Sequence, residues 1–374
     1  MKYVFIAVLV LLCLLSPYLC GRKSASLCRE RFGAPCAEFG LNERPFDFSV
    51  GYLRSSFYLN EPFSTTVSSM GLRPEVVDVF RDIFLNVSGE IVHGPKHLMW
   101  GAVHSVFSLS GKDWKLSGQE WVTNRIFGAS ERFVKLDDVA QEAEGSLFVF
   151  QNCSLREEKN GKENEKYFSA DNLALWPGLA AGALESKTKK GEKSWESVTK
   201  ASLLKFSEGR VSNLDLRVTG ELQERGRENY ALDLKAAEFS LKEEDLGALE
   251  LSLKYSGRSL AFLKNALSRS AQKETLTEAL DNEDPKRFLE SEPQAELSLS
   301  AAGKKPFSAK VKLSLKENGS AVSSWNDLLD LLYLEAELEG NVPGSLEKLG
   351  LKAGGEPLKI TYDKGQLSIN GEAK

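Results

Sequence analysis

Residues 212–255 contain apolar side chains at every second position, over and over. "NLDLRVTG" sets Leu214, Leu216 and Val218 on one side of an extended chain, "ALDLKAAEF" does so with Leu232 and Leu234, and "ALELSLKYS" with Leu249, Leu251, Leu253 and Tyr255. "AELSLSA", "FSAKVKLSLKE", "LEAELEG" and "LKITYDKGQLSING" continue the pattern almost to the last residue. A period of two fits a strand with one apolar and one wet face and does not fit a helix, so this half of the chain is predicted to be antiparallel sheet. Lys310, Lys312, Ser314 and Lys316 mark the wet face of one strand. A long one-faced sheet must bury that face against helices, a second sheet, a dimer partner or an apolar ligand.

Earlier segments carry the same character less regularly. "FDFSVGYLRSSFYLNEPFSTTVSS", "HSVFSLSGKDWKLSG" and "GSLFVFQNCSL" read as strands. Three stretches read as helices. In "RPEVVDVFRDIFLNVSGE", Pro74 suits a first helical position, Val76, Val77, Phe80, Ile83 and Phe84 recur at helical spacing, and Gly89 ends the run. The second, "SLAFLKNALSRSAQKETLTEALDNEDPKRFLES", reads as a helix or a broken pair ending before Pro293. The third, "SWNDLLDLLYLE", begins as a helix capped by Ser324 before Asp327. The expected fold is therefore α+β and β-dominated: large curved antiparallel sheet with a few helices packed on one side, preceded by an N-terminal membrane helix. The charge-rich, glycine-broken stretches "REEKNGKENEKYF" and "ESKTKKGEKS" read as solvated hairpin tips or loops and suggest a division near residue 156. The expected organisation is 1–21 as membrane anchor or signal segment, 22–155 as an N-terminal α+β region, and 156–374 as a β-rich region with helical insertions.

The uncharged run from Tyr3 to Cys20 supports the first of these. Its eighteen residues, at about 1.5 Å each, span roughly 27 Å, close to a bilayer core. Arg22 and Lys23 directly before Ser24-Ala25-Ser26 favour an uncleaved anchor over a cleaved signal. Arg22, Lys23, Arg29 and Arg31 outnumber Lys2 and, by the positive-inside rule, favour a cytoplasmic globular part. Cys28 and Cys36 flank a turn with Gly33 and Pro35, and a disulfide there needs an oxidising compartment. The expectation follows the cysteines: an inner-membrane, single-pass protein with its globular part in the periplasm, the alternative being release to the periplasm after signal cleavage. Cys153 reads as a buried small hydrophobe.

Sites for chemistry are few. All three histidines, His93, His97 and His104, fall in "IVHGPKHLMWGAVH". Pro95 breaks any helix that would align His93 with His97, and no Asp or Glu lies between His93 and His104, so the cluster reads as a bend at His93-Gly94-Pro95 and not as a metal or catalytic site. No G-x-S-x-G, phosphate loop or dinucleotide fingerprint is present. A net charge of −5 offers no basic footprint for nucleic acid. Neither catalytic residues nor a cofactor are expected, and the chain reads as a non-enzyme.

The order of these features resembles the YdgA family of bacterial envelope proteins. The similarity lies in the N-terminal apolar segment, "IVHGP" at Ile91–Pro95, "PQAELSLSAAGKKPFSAKVKLSL", "DLLDLLYLEAELEGNVPGSLEKL" and the closing "LKITYDKGQLSINGEAK". The Cys28/Cys36 pair departs from that pattern. The resemblance implies a periplasmic domain tethered to the inner membrane through residues 3–20, and it carries no catalytic residue onto this chain. The expected role is structural or protein-interacting, with a homodimer or envelope protein as partner. The alternative, by analogy with AsmA-like lipid-shuttling proteins, is a β-groove that holds lipid.

Overall fold

A computed structural model describes residues 22, 46–64, 82–92, 102–111, 115–124, 129–143, 146–175, 179–207, 209–223, 227–241, 244–258, 289–304, 306–315, 331–340, 357–363 and 365–373. By its internal contacts the chain forms two compact units, Met1–Glu185 and Ser186–Lys374. Residue 156, where the sequence suggests a division, lies inside a strand of the first.

The first unit holds β1 (Phe46–Ser49), β2 (Arg54–Pro62), β3 (Phe84–Val92), β4 (Ala102–Ser110), β5 (Lys115–Asn124), β6 (Ser130–Leu136), β7 (Val139–Ala143), β8 (Ser146–Gln151), β9 (Ser154–Asn160) and β10 (Glu163–Leu175). Each of β1 to β5 pairs antiparallel with the next. From β5 the ladder passes to β6, from β6 to β9 and from β9 to β10, while β7 pairs with β8 and β8 with β10. In effect β6–β7 and β8–β9 are two long strands, each interrupted for two residues at the same level, so the meander is unbroken. Its core sits on one face of β2, where Ser55, Phe57, Leu59 and Glu61 alternate strictly with exposed residues. Gly89 faces Phe57, and a Cβ there would lie 2.3 Å from the ring, so the glycine makes room for the phenyl group.

The second unit begins within β11 (Leu179–Lys190) and continues through β12 (Ser194–Phe206), β13 (Gly209–Leu222), β14 (Arg227–Leu241), β15 (Glu244–Arg258), β16 (Gln294–Ala301), β17 (Phe307–Leu315), β18 (Leu332–Gly340), β19 (Leu358–Asp363), β20 (Gln366–Ile369) and β21 (Glu372–Ala373). From β12 onward every strand pairs antiparallel with its sequence neighbour. The two charge-rich stretches are hairpin tips, as read: β9–β10 turns at Gly161 with φ of 61°, and β11–β12 at residues 191–193.

The expected α+β class with helices packed on one side is not what forms. Among the described residues every element is a strand, and each pair of elements in substantial contact is a hydrogen-bonded neighbour pair. Phe84 to Gly89, read as the end of a helix, belong to β3, and Gly89 is a mid-strand packing gap and not a helix stop. The segment read as beginning as a helix at Ser324 passes into β18 at Leu332, two residues before the alternation of "LEAELEG". At Phe84–Gly89 period-two and helical spacings overlap over a few residues, and cross-strand pairing decides between them. The rest of those helical readings, residues 74–81, 259–288 and 324–330, lies outside the described residues, as do the anchor at 3–20, Cys28, Cys36 and His93-Gly94-Pro95. No helix among the described residues is long and apolar enough to cross a membrane.

Candidate functional site: a leucine face

The register of the second unit turns the sequence alternation into continuous rows across the strands. One row runs Leu216, Leu234, Leu251, Leu299, Ala309, Leu338, Leu358. The next runs Val218, Leu232, Leu253, Leu297, Val311, Ala336, Ile360, Ile369. A third runs Trp195, Gly220, Tyr230, Tyr255, Ala295, Leu313, Leu334, Tyr362, Leu367. A shorter row of Ala236, Leu249, Ala301, Phe307 and Gly340 closes the other side. Over β13–β19 these rows contain no charged or amide side chain.

Strand spacing of about 4.8 Å and a rise of about 3.3 Å per residue give the strip roughly 29 Å by 20 Å, or about 600 Å². That is the upper end of what a soluble monomer leaves uncovered. Several of its larger side chains are part exposed, Leu253 at 37%, Leu313 at 36% and Leu367 at 38%, while Ala236, Ala301, Ala336 and Leu358 are buried. Towards β11 the same face turns polar through two hydroxyl pairs, Ser186–Thr199 at 2.9 Å and Thr188–Ser197 at 3.0 Å. The opposite face is wet and held in register by cross-strand ion pairs: Lys200–Asp215 at 3.4 Å, Arg217–Glu196 at 2.8 Å, Lys235–Glu250 at 3.5 Å and Lys359–Glu337 at 3.6 Å. Being exposed, each contributes at most about 1 kcal/mol. A one-residue slip would break all four and invert both faces.

One margin of the strip is aromatic. Trp195 lies over Gly220 and reaches Tyr230, ring centroids 6.3 Å apart, and Tyr230 stands 6.1 Å from Tyr255. The Tyr230 hydroxyl donates to the carboxylate of Glu228. Burial, with a smaller push from the Glu228 charge, raises the Tyr255 phenol to about 12. Behind this margin, on the wet face, a hollow of about 760 Å³ is lined mainly by Glu196, Arg217, Thr219, Lys254 and Glu296.

In the first unit the polar chemistry lies on the face that carries the core. Glu120 accepts from Ser105 at 3.2 Å and pairs with Arg132 at 2.5 Å; Arg132 approaches Glu157 at 3.9 Å, and Glu157 is also bound by Lys166 at 3.2 Å and Asn164 at 2.9 Å. Burial alone would raise the Glu157 carboxyl, but the Asn164 hydrogen bond and Lys166, with Arg132, outweigh it and hold the group below the usual carboxylate range. These residues join neighbouring strands and form a structural network.

Of the three histidines only His104 is described. It sits exposed on β4, stacked on Trp121 of β5 with centroids 5.1 Å apart and planes 14° apart, its Nε2 3.3 Å from Gln119 Oε1. Trp121 continues to Phe133 at 5.6 Å, so His104 ends a ladder of rings on the outer face. No group of three or more His, Cys, Asp or Glu side chains suited to a metal occurs among the described residues. Cys153 is buried and free; burial raises its thiol, and Asp138 and Asp171 add to this against a lowering backbone hydrogen bond at Gln151. The leucines are readable as a face from the sequence, whereas Trp195, Tyr230 and Glu228 are not, because only the register brings them together.

The chain matches no protein-family model, no curated protein and no solved structure. Nothing in these comparisons identifies a YdgA-like family.

Proposed function

We propose that this chain is a binding protein of the bacterial envelope, held to the inner membrane by residues 3–20, and that its leucine face takes the acyl chains of a lipid. It holds its ligand and does not transform it. The observation that carries this reading is the unbroken, uncharged strip across β13–β19, which no described element covers. Protein interfaces of the non-obligate kind are little more than half apolar and rely on polar groups to set register. A second copy seated on this face would bury about 600 Å² per partner, about 1,200 Å² in total, the lower limit of a standard interface. An all-hydrocarbon ligand needs no polar partner and loses nothing on such a strip, which gains about 25 cal/mol for each Å² removed from water.

Native mass spectrometry of the full chain, purified in mild detergent, tests the reading. Phospholipid retained in near-stoichiometric amount is expected. A chain that carries none, after purification or after incubation with phospholipid vesicles, overturns it.

A further inference from the structure

The turn between β1 and β2 is apolar and exposed. Val50 is 41% exposed, Tyr52 49% and Leu53 52%, three large apolar side chains within four residues. The other large apolar side chains of comparable exposure among the described residues stand within strands. Folding gains nothing from leaving such a cluster in water, so it marks a contact surface. The turn is nevertheless firmly built. The Gly51 N–H donates to Ser55 Oγ at 3.3 Å, and Ser55 is buried at the start of the β2 core row. A Cβ at residue 51 would run into the Arg54 carbonyl oxygen, so the absence of a side chain there lets the chain fold back tightly.

The surroundings of this tip suit a lipid surface. Register places three more connections at the same end of the first unit: Val92 to Ala102, Asn124 to Ser130, and the turn at Gly161–Lys162. In sequence the four connections contain no carboxylate, whereas three of the four at the opposite end, 63–83, 111–114 and 144–145, do. At the tip's end carboxylates begin within the strands, where Glu90 pairs with Arg54 at 3.5 Å and Glu131 and Glu158 pair with Arg156 at 3.1 Å and 2.6 Å; Glu163 directly follows Lys162. Carboxylates on the turn itself would oppose entry into a bilayer, and a tyrosine beside aliphatic side chains suits the boundary between headgroups and acyl chains. The 25 residues between Cys20 and Phe46 reach up to roughly 85 Å when extended, and β1 enters the sheet about 13 Å from the tip, so the membrane surface is within reach. We infer that the β1–β2 turn, through Val50, Tyr52 and Leu53, inserts into the interfacial layer of the bilayer that carries residues 3–20, a second membrane contact that fixes how the first unit stands on the surface. This inference rests on residues 3–20 holding the chain in a bilayer and does not depend on the leucine face.

The test places a photoreactive benzophenone amino acid at position 52 or, separately, at position 58 of the full chain, which is then reconstituted in vesicles of equal parts phosphatidylcholine and phosphatidylglycerol and irradiated. Tyr58 is 44% exposed but stands on the sheet face, four residues along β2 from Arg54. Lipid adducts are expected at position 52 in about tenfold excess over position 58, the ratio that about two buried methylene groups supply. Val50→Ser combined with Leu53→Ser should remove most of that excess while the chain stays with the vesicles and keeps its circular dichroism. Equal yields at the two positions, or an adduct at position 52 to a second copy in place of lipid, overturn the tip contact and leave the anchor at 3–20 standing, as does an excess that the double substitution leaves unchanged. A chain that does not stay with the vesicles at all removes the anchor and the tip contact together.

Discussion

Trp195 covers Gly220 so closely that a Cβ at residue 220 would lie 2.2 Å from the indole Nε1. The indole can cross β13 to reach Tyr230 only because that position has no side chain. Gly220→Ala should therefore displace the indole, at a cost of about 1–3 kcal/mol for overpacking, and shift the tryptophan emission. Denaturant unfolding measures the first and fluorescence the second. A stability within about 0.5 kcal/mol of wild type would mean that the indole moves aside freely.

The leucine face and the true core should respond differently to truncation. Ile91 is 1% exposed and Leu253 37% exposed. Ile91→Ala is expected to cost about 2–5 kcal/mol, the range for a fully buried aliphatic side chain, and Leu253→Ala less than half as much. Paired unfolding curves in lipid-free buffer decide this. Equal losses would mean that the chain itself buries the strip.

Tyr255 should resist ionisation. Its phenol is raised to about 12 from the ordinary 10.0, so folding favours the protonated form. The associated stability is fully present below pH 10 and declines as pH rises towards 12. An ultraviolet difference titration of wild type against Tyr255→Phe should show the missing tyrosine ionising last. A Tyr255 that titrates with the exposed tyrosines would contradict its burial beside Glu228.

The network around Glu157 predicts acid sensitivity of the first unit. Its carboxyl is held below the usual range, so its contribution is present above the unfolded value of about 4.3 and is lost as pH falls through the folded value. Glu157→Gln should flatten the fall in unfolding midpoint between about pH 5 and pH 3. A fall of unchanged steepness in the variant would assign the acid lability to other carboxylates.

Much of this architecture was visible in the alternation of Leu214, Leu216, Val218 and their successors, because a period of two leaves the chain little choice but a sheet with one oily side. Phe84–Gly89 mimics a helix end because Val76, Val77, Phe80, Ile83 and Phe84 fall at helical spacing and Gly89 resembles a stop, while the Phe57 ring that explains this glycine lies 32 positions earlier. The three aromatic residues of the margin come from strands separated by up to 60 positions, so nothing local announces them. The histidines stand out by their density in the sequence, yet His104, on the outer face, stacks on Trp121 and meets Gln119.

Photocrosslinking is the most direct test of the binding surface. The full chain would be loaded with a phospholipid carrying a diazirine in its acyl chain, irradiated and digested, and the adducts mapped. Adducts on the peptides of β14, β15 and β16 that carry Leu232, Leu253 and Leu297 are the predicted result. Adducts confined to residues 3–20, or absent altogether, would contradict a lipid-holding leucine face.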